Sequence, residues 1–124
     1  MVKAIPKDHI EFYNSLESIL IVDSFICVHA GLNPLRDLDS QNDNDVFWIR
    51  EDFISNMHQF NKTVVFGHTP HREILQHLPY KLGLDTGLVF GNKVSCLELR
   101  SGRVMEVSRG EKKVKKKKID MSAA

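Results

Sequence analysis

The sequence predicts an α/β (α+β) domain whose mixed sheet ends in a C-terminal β-meander. Three observations predict it. The order of periodic segments is helix, strand, strand, helix, then several strands. Two of the strands, Phe25-Ile26-Cys27-Val28 and Val64-Val65-Phe66-Gly67, run straight into a histidine, His29 and His68. The last segments, Lys93–Arg100 and Arg103–Ser108 joined by the Ser101-Gly102 turn, look like a β-meander.

From the N-terminus, Ile10, Tyr13 and Leu16 recur at helical spacing between Pro6 and Ser18, with Asp8 near the start. Ile19–Val22 and Phe25–His29 read as a hairpin turned by Asp23-Ser24. Gly31 to Asp45 is a loop rich in Asn, Asp and Pro; loops of that length in small domains tend to be functional. Asn44 or Asp45 is placed to cap a helix reaching about Phe60, with Ile49, Phe53, Met57 and Phe60 along one side. Thr63–Phe66 is the next strand. Lys81–Gly87 carries another short apolar run, Lys93–Arg100 alternates, and Ser101-Gly102 turns the chain into Arg103–Ser108.

The chain has 124 residues, enough for one domain, with 42% hydrophobic and 27% charged residues. Its longest apolar run, Ile19–Val22, stops at Asp23, which excludes a hydrophobic membrane helix. The N-terminus has no apolar core of a signal peptide, so a cytoplasmic location is expected. Cys27 and Cys96 both sit in apolar strand patterns and read as small buried hydrophobes rather than a disulfide or metal pair. The overall charge of +1 hides a division: Arg109 and six lysines against two carboxylates give residues 109–124 a net +5, leaving 1–108 at −4. The sequence therefore divides into a domain over 1–108 and a basic tail over 109–124, expected to be disordered by self-repulsion. A nucleic-acid function is disfavoured because the basic residues are confined to that terminus without interleaved aromatics.

Six histidines are present. His9 and His58 fall on expected helices and read as surface groups, while His71 and His77 flank the loop after His68. His29 and His68 differ because each follows a rigid strand and precedes a turn-forming residue, Gly31 or Pro70, so each is aimed rather than free. Two imidazoles from non-adjacent strands suit a metal or catalytic site built at the end of a sheet. Asp85, in Asp85-Thr86-Gly87, sits at the same kind of edge, where it can ligate a metal, orient a ligand histidine or cap its own turn. Arg50 suits a phosphate or other anion, or stands as a solvated surface arginine, and Trp48 reads as a core anchor rather than a stacking surface.

Four segments in order, Val-His-Ala-Gly-Leu-Asn-Pro (28–34), Phe-Trp-Ile-Arg (47–50), Val-Val-Phe-Gly-His-Thr-Pro (64–70) and Leu-Asp-Thr-Gly (84–87), resemble the C-terminal half of bacterial-type serine/threonine phosphoprotein phosphatases, within the calcineurin-like metallophosphoesterases. The resemblance covers roughly residues 5 to 107 and implies half of a β-sandwich flanked by helices. It implies that His29 and His68 bind one of two divalent ions, manganese being the expectation. It further implies that Arg50 clamps the substrate phosphate and that Asp85 supports the histidines. The implied reaction is hydrolysis of a phosphoprotein or another phosphomonoester by metal-bound hydroxide. The earlier family motifs Gly-Asp-x-His-Gly, Gly-Asp-x-x-Asp-Arg-Gly and Gly-Asn-His-Glu do not occur. The expectations are therefore negligible turnover by this chain alone, and either pairing with an N-terminal half or self-association through exposed strand edges. A binding or scaffold module without turnover is the alternative.

Overall fold

A computed structural model describes residues 4–124; Met1 to Lys3, the first residues of the expected domain and leader region, lie outside it. Helix α1 (Lys7–Asn14) is followed by the hairpin β1 (Ile19–Val22) and β2 (Phe25–Val28), paired antiparallel with Ile19 opposite Val28. Asp23 takes a positive φ of 51° to make the tight turn. The expected long helix is two short ones, α2 (Asp43–Trp48) and α3 (Glu51–Ile54). Its cap is Asn42 rather than Asn44 or Asp45; Asp45 instead closes a reciprocal capping box as the third helical residue. Ile49 and Arg50 leave helical geometry, at φ −58°, ψ 144° and φ −132°, ψ −104°, and this break separates α2 from α3.

Strand β3 (Thr63–Phe66) is fully buried and pairs parallel with β2 and with β5 (Lys81–Gly83), while β4 (Leu75–His77) pairs antiparallel with β5. The first sheet is thus mixed, in the order β1-β2-β3-β5-β4. The second is an antiparallel meander of β6 (Lys93–Glu98), β7 (Arg103–Ser108) and β8 (Lys115–Lys118). Alternation along the strands builds three layers. Phe25, Val65 and Leu82 face Leu97, Val104 and Ile119 of the meander and its exit. Ile26, Val64 and Phe66 on the opposite face pack against Leu32, Val46 and Phe53. No helix among the described residues is long and apolar enough to cross a membrane.

Four local expectations are corrected. Lys115–Lys118 of the basic tail is a strand, not a disordered segment. The carboxylates of Glu73 and Glu106 meet Lys117 at 2.8 and 3.0 Å, and Ile119 is buried beside the meander. Opposite charge and one apolar anchor outweigh the self-repulsion that composition alone suggests. His58 is neither helical nor on the surface: it is buried among Phe53, Phe60 and Tyr80. Trp48 is not a core anchor but 68% exposed, because α2 turns Val46 and Phe47 to the core and Trp48 outward. Cys96 is also exposed, on the outer face of β6, and Cys27 is half-buried; both thiols are free.

Candidate functional site

The parallel strands β2 and β3 end side by side, and their exits are tied together by the Gly67 amide donating to the His29 carbonyl at 2.8 Å. Ala30, next in the chain, donates to the Val46 carbonyl at 2.8 Å, which brings the end of α2 to the same edge. Gly31 must be glycine: a Cβ there would stand 2.5 Å from the Phe53 ring and 2.9 Å from Ile49. After Gly67 the backbone turns sharply, with the Thr69 amide on the Gly67 carbonyl at 2.7 Å. The positive φ, 65°, falls on His68 itself. Such a conformation is uncommon outside glycine and is held by the surrounding hydrogen bonds.

The result is that His29 and His68, 39 residues apart, face each other, with Nε2 of His29 3.2 Å from Nδ1 of His68. Arg50, released from helical geometry by the break after α2, donates from Nη1 to the His68 carbonyl at 3.0 Å and to Thr69 Oγ1 at 3.2 Å. Asp85 follows β5 at the same edge and spends one oxygen accepting from the Gly87 amide at 2.9 Å, the turn-capping role among those open to it. Its main-chain carbonyl accepts from the His71 amide at 2.9 Å, which moors the loop after His68. All four residues singled out from the sequence therefore gather at one end of the mixed sheet.

Electrostatics favour a neutral His68. Burial pushes its pKa below the usual histidine value, the Arg50 and His29 charges add to this, and Asp85 and the Trp48 carbonyl act in the opposite sense. A neutral imidazole is the form that offers a lone pair to a metal ion. The spacing also fits. Two nitrogens each about 2.0–2.1 Å from a tetrahedral ion lie about 3.3 Å apart. The other nitrogen of His68, Nε2, is buried with no hydrogen-bond partner. The donor set stops there: among the described residues no three His, Cys, Asp or Glu side chains gather where an ion could be held. The two histidines fit two positions of a divalent site, and the described residues do not fit a resident two-ion centre.

Trp48, read from the sequence as a core anchor, instead stands beside His68, with its ring perpendicular to the imidazole and ring centroids 5.8 Å apart. Its placement depends on where α2 ends, which no local pattern announces. A shallow cavity of ≈ 310 Å³ lies beside the site between Cys27, His29, Gly67 and Leu84. A larger one of ≈ 680 Å³ is elsewhere, lined by His58, Lys62, Tyr80 and Ala124, and includes none of the four site residues.

No family model matches the chain, and no curated protein matches it. Among solved structures, one described as "Crystal structure of a putative diadenosine tetraphosphatase" superposes with a TM-score of 0.61 at 21% identity, covering 93% of this chain and 56% of that one. The likeness shows a shared fold over part of that structure. The chain spans little more than half of the solved protein it matches, and the likeness is one of architecture: a mixed sheet with a separate antiparallel meander.

Proposed function

We propose that this chain carries the two-histidine portion of a metal-dependent phosphomonoesterase site. The observation that supports it most directly is the convergence of His29 Nε2 and His68 Nδ1 at 3.2 Å beside the Arg50 guanidinium. In this reading His29 and His68 hold a divalent ion, manganese by the sequence resemblance. Such an ion lowers the pKa of bound water and offsets charge on the phosphoryl oxygens. Arg50 binds the phosphate with its remaining N–H donors, for which guanidinium geometry is suited. Asp85 keeps the turn beside Gly67 in place through its bond to Gly87 and biases His68 by its charge.

The sequence resemblance points to serine/threonine phosphoproteins as substrates, whereas the solved neighbour is described as a putative diadenosine tetraphosphatase. Because no three-ligand cluster is present among the described residues, the chain alone binds metal weakly and turns over negligibly. That same gap favours the second reading, a phosphate-binding module without turnover.

The test is a manganese titration of the purified chain followed by amide NMR. Paramagnetic broadening is expected around residues 28–31 and 67–70 and is lost in His29→Ala, with p-nitrophenyl phosphate left intact. Broadening elsewhere removes the metal assignment. Manganese-dependent hydrolysis abolished by His29→Ala overturns the partial-site reading in favour of a complete enzyme. Phosphate binding that ignores manganese selects the module.

A further inference from the structure

The chain has a single tryptophan, and it is spent on an exposed position. Tryptophan is on average a highly buried residue type, so an indole 68% in solvent calls for a partner. Trp48 is the last residue of α2, fixed outward by the core contacts of Val46 and Phe47. Among the described residues its ring meets one other ring, that of His68, at 89° and 5.8 Å. With 68% of the residue in solvent, that single perpendicular contact leaves most of the indole uncovered. Two residues further on, Arg50 is hydrogen-bonded to the same His68. An apolar aromatic surface thus stands at the rim of the group that would hold a phosphate.

We propose that Trp48 is a specificity residue that stacks against an aromatic group carried by a phosphate ester. The inference rests on the phosphate site proposed above. The shared chemistry of the ligand is an aromatic ring joined to phosphate, as in an aryl phosphate or a nucleotide. Alkyl phosphates, including those of serine and threonine, have no ring to offer the indole. Base–aromatic stacking is sequence-tolerant and contributes about tenfold in affinity. Phe90, also exposed, lines a separate cavity with Pro70, His71 and Gly87 and serves as the control.

The experiment is calorimetric titration of the full chain with manganese and, in separate arms, inorganic phosphate, ribose 5-phosphate, phenyl phosphate and adenosine 5′-monophosphate. Tryptophan fluorescence is followed in parallel, since every signal comes from Trp48. The aromatic esters are expected to bind about tenfold more tightly than ribose 5-phosphate and to quench the indole. Trp48→Ala should bring that ratio close to one, Trp48→Phe should retain most of it, and Phe90→Ala should preserve it. A higher affinity for the adenosine ester assigns a nucleotide, and a higher affinity for the phenyl ester assigns an aryl phosphate. Equal binding of all four ligands to the wild type overturns the stacking role while leaving the phosphate site standing. So does a ratio that survives Trp48→Ala or collapses in Phe90→Ala. Binding by none of the four overturns both readings.

Discussion

His58 shows how a single buried side chain links packing to pH. Its Nε2 donates to the Tyr80 carbonyl at 2.9 Å while Nδ1 accepts from the Phe60 amide at 3.4 Å. Both nitrogens are satisfied only in the neutral form, since an imidazolium would set an N–H against an N–H. Burial lowers its pKa, and the Lys81 ammonium lowers it further against the opposing pull of the Tyr80 carbonyl. A folded-state pKa below the unfolded value of about 6.5 means that the unfolded chain binds the extra proton first. The stability that His58 contributes is therefore full above about pH 6.5 and declines as pH falls through the lower folded-state pKa. Urea midpoints measured from about pH 7.5 down to about pH 5 should fall more steeply for the wild type than for His58→Gln, which cannot protonate. Parallel slopes would assign the acid sensitivity elsewhere, His68 being the other histidine shifted down.

At the scale of elements, the breaks matter more than the helices. Interrupting the helical segment at Ile49-Arg50 lets Arg50 reach the His68 loop, and it turns the carbonyl end of α3 toward Lys81. The Lys81 ammonium, fully buried, donates to the carbonyls of Phe53 at 2.6 Å, Ile54 at 3.0 Å and Asn56, and lies 4.8 Å from the centre of the Phe53 ring. A cation at a helix C-terminus complements the unpaired carbonyls there. Strand β8 is the second case. Glu73, before β4, is held by Lys117 and Lys93, whose hydrogen bonds keep its carboxyl at about 2. This tie is present above the ordinary carboxylate range and lost as pH falls toward 2. Ile119, next after β8, inserts into the core between the sheets. Ile119→Ala should destabilise the chain by about 2–4 kcal/mol in chemical denaturation. A loss near zero would restore the picture of a solvated tail.

At the scale of the molecule, the sandwich is uneven: five strands face three. The meander lies over the β2-β3-β5 side and leaves β1 with Leu20 51%, Ile21 52% and Val22 41% exposed. Helix α1 buries nothing: Ile10, Phe12 and Tyr13 are exposed, as is Leu16 just beyond it. A flat apolar edge strand without Lys or Pro is a ready template for pairing with another chain. Self-association is therefore the expected behaviour of the isolated chain. Sedimentation velocity should show mass rising with concentration, and Ile21→Lys should suppress it. A monomer at all concentrations would mean that this surface is tolerated in water.

The sequence by itself determined the class of fold, the two buried strands and the aimed histidines. These follow from short-range rules: β-branched runs make strands, and Gly or Pro ends them in a defined direction. That His29, His68 and Asp85 stand at strand ends was legible from their positions, whereas the place of Arg50 beside them was implied only by the family resemblance. What only the tertiary structure decided lies where distant groups outweigh local preference. Partner carboxylates and the buried Ile119 turned a lysine run into β8. Three aromatic neighbours drew His58 inward. A helix that stops at Trp48 set the lone indole beside His68 rather than in the core. Each outcome is settled by a contact between residues far apart in the chain, and a local pattern carries no record of such contacts.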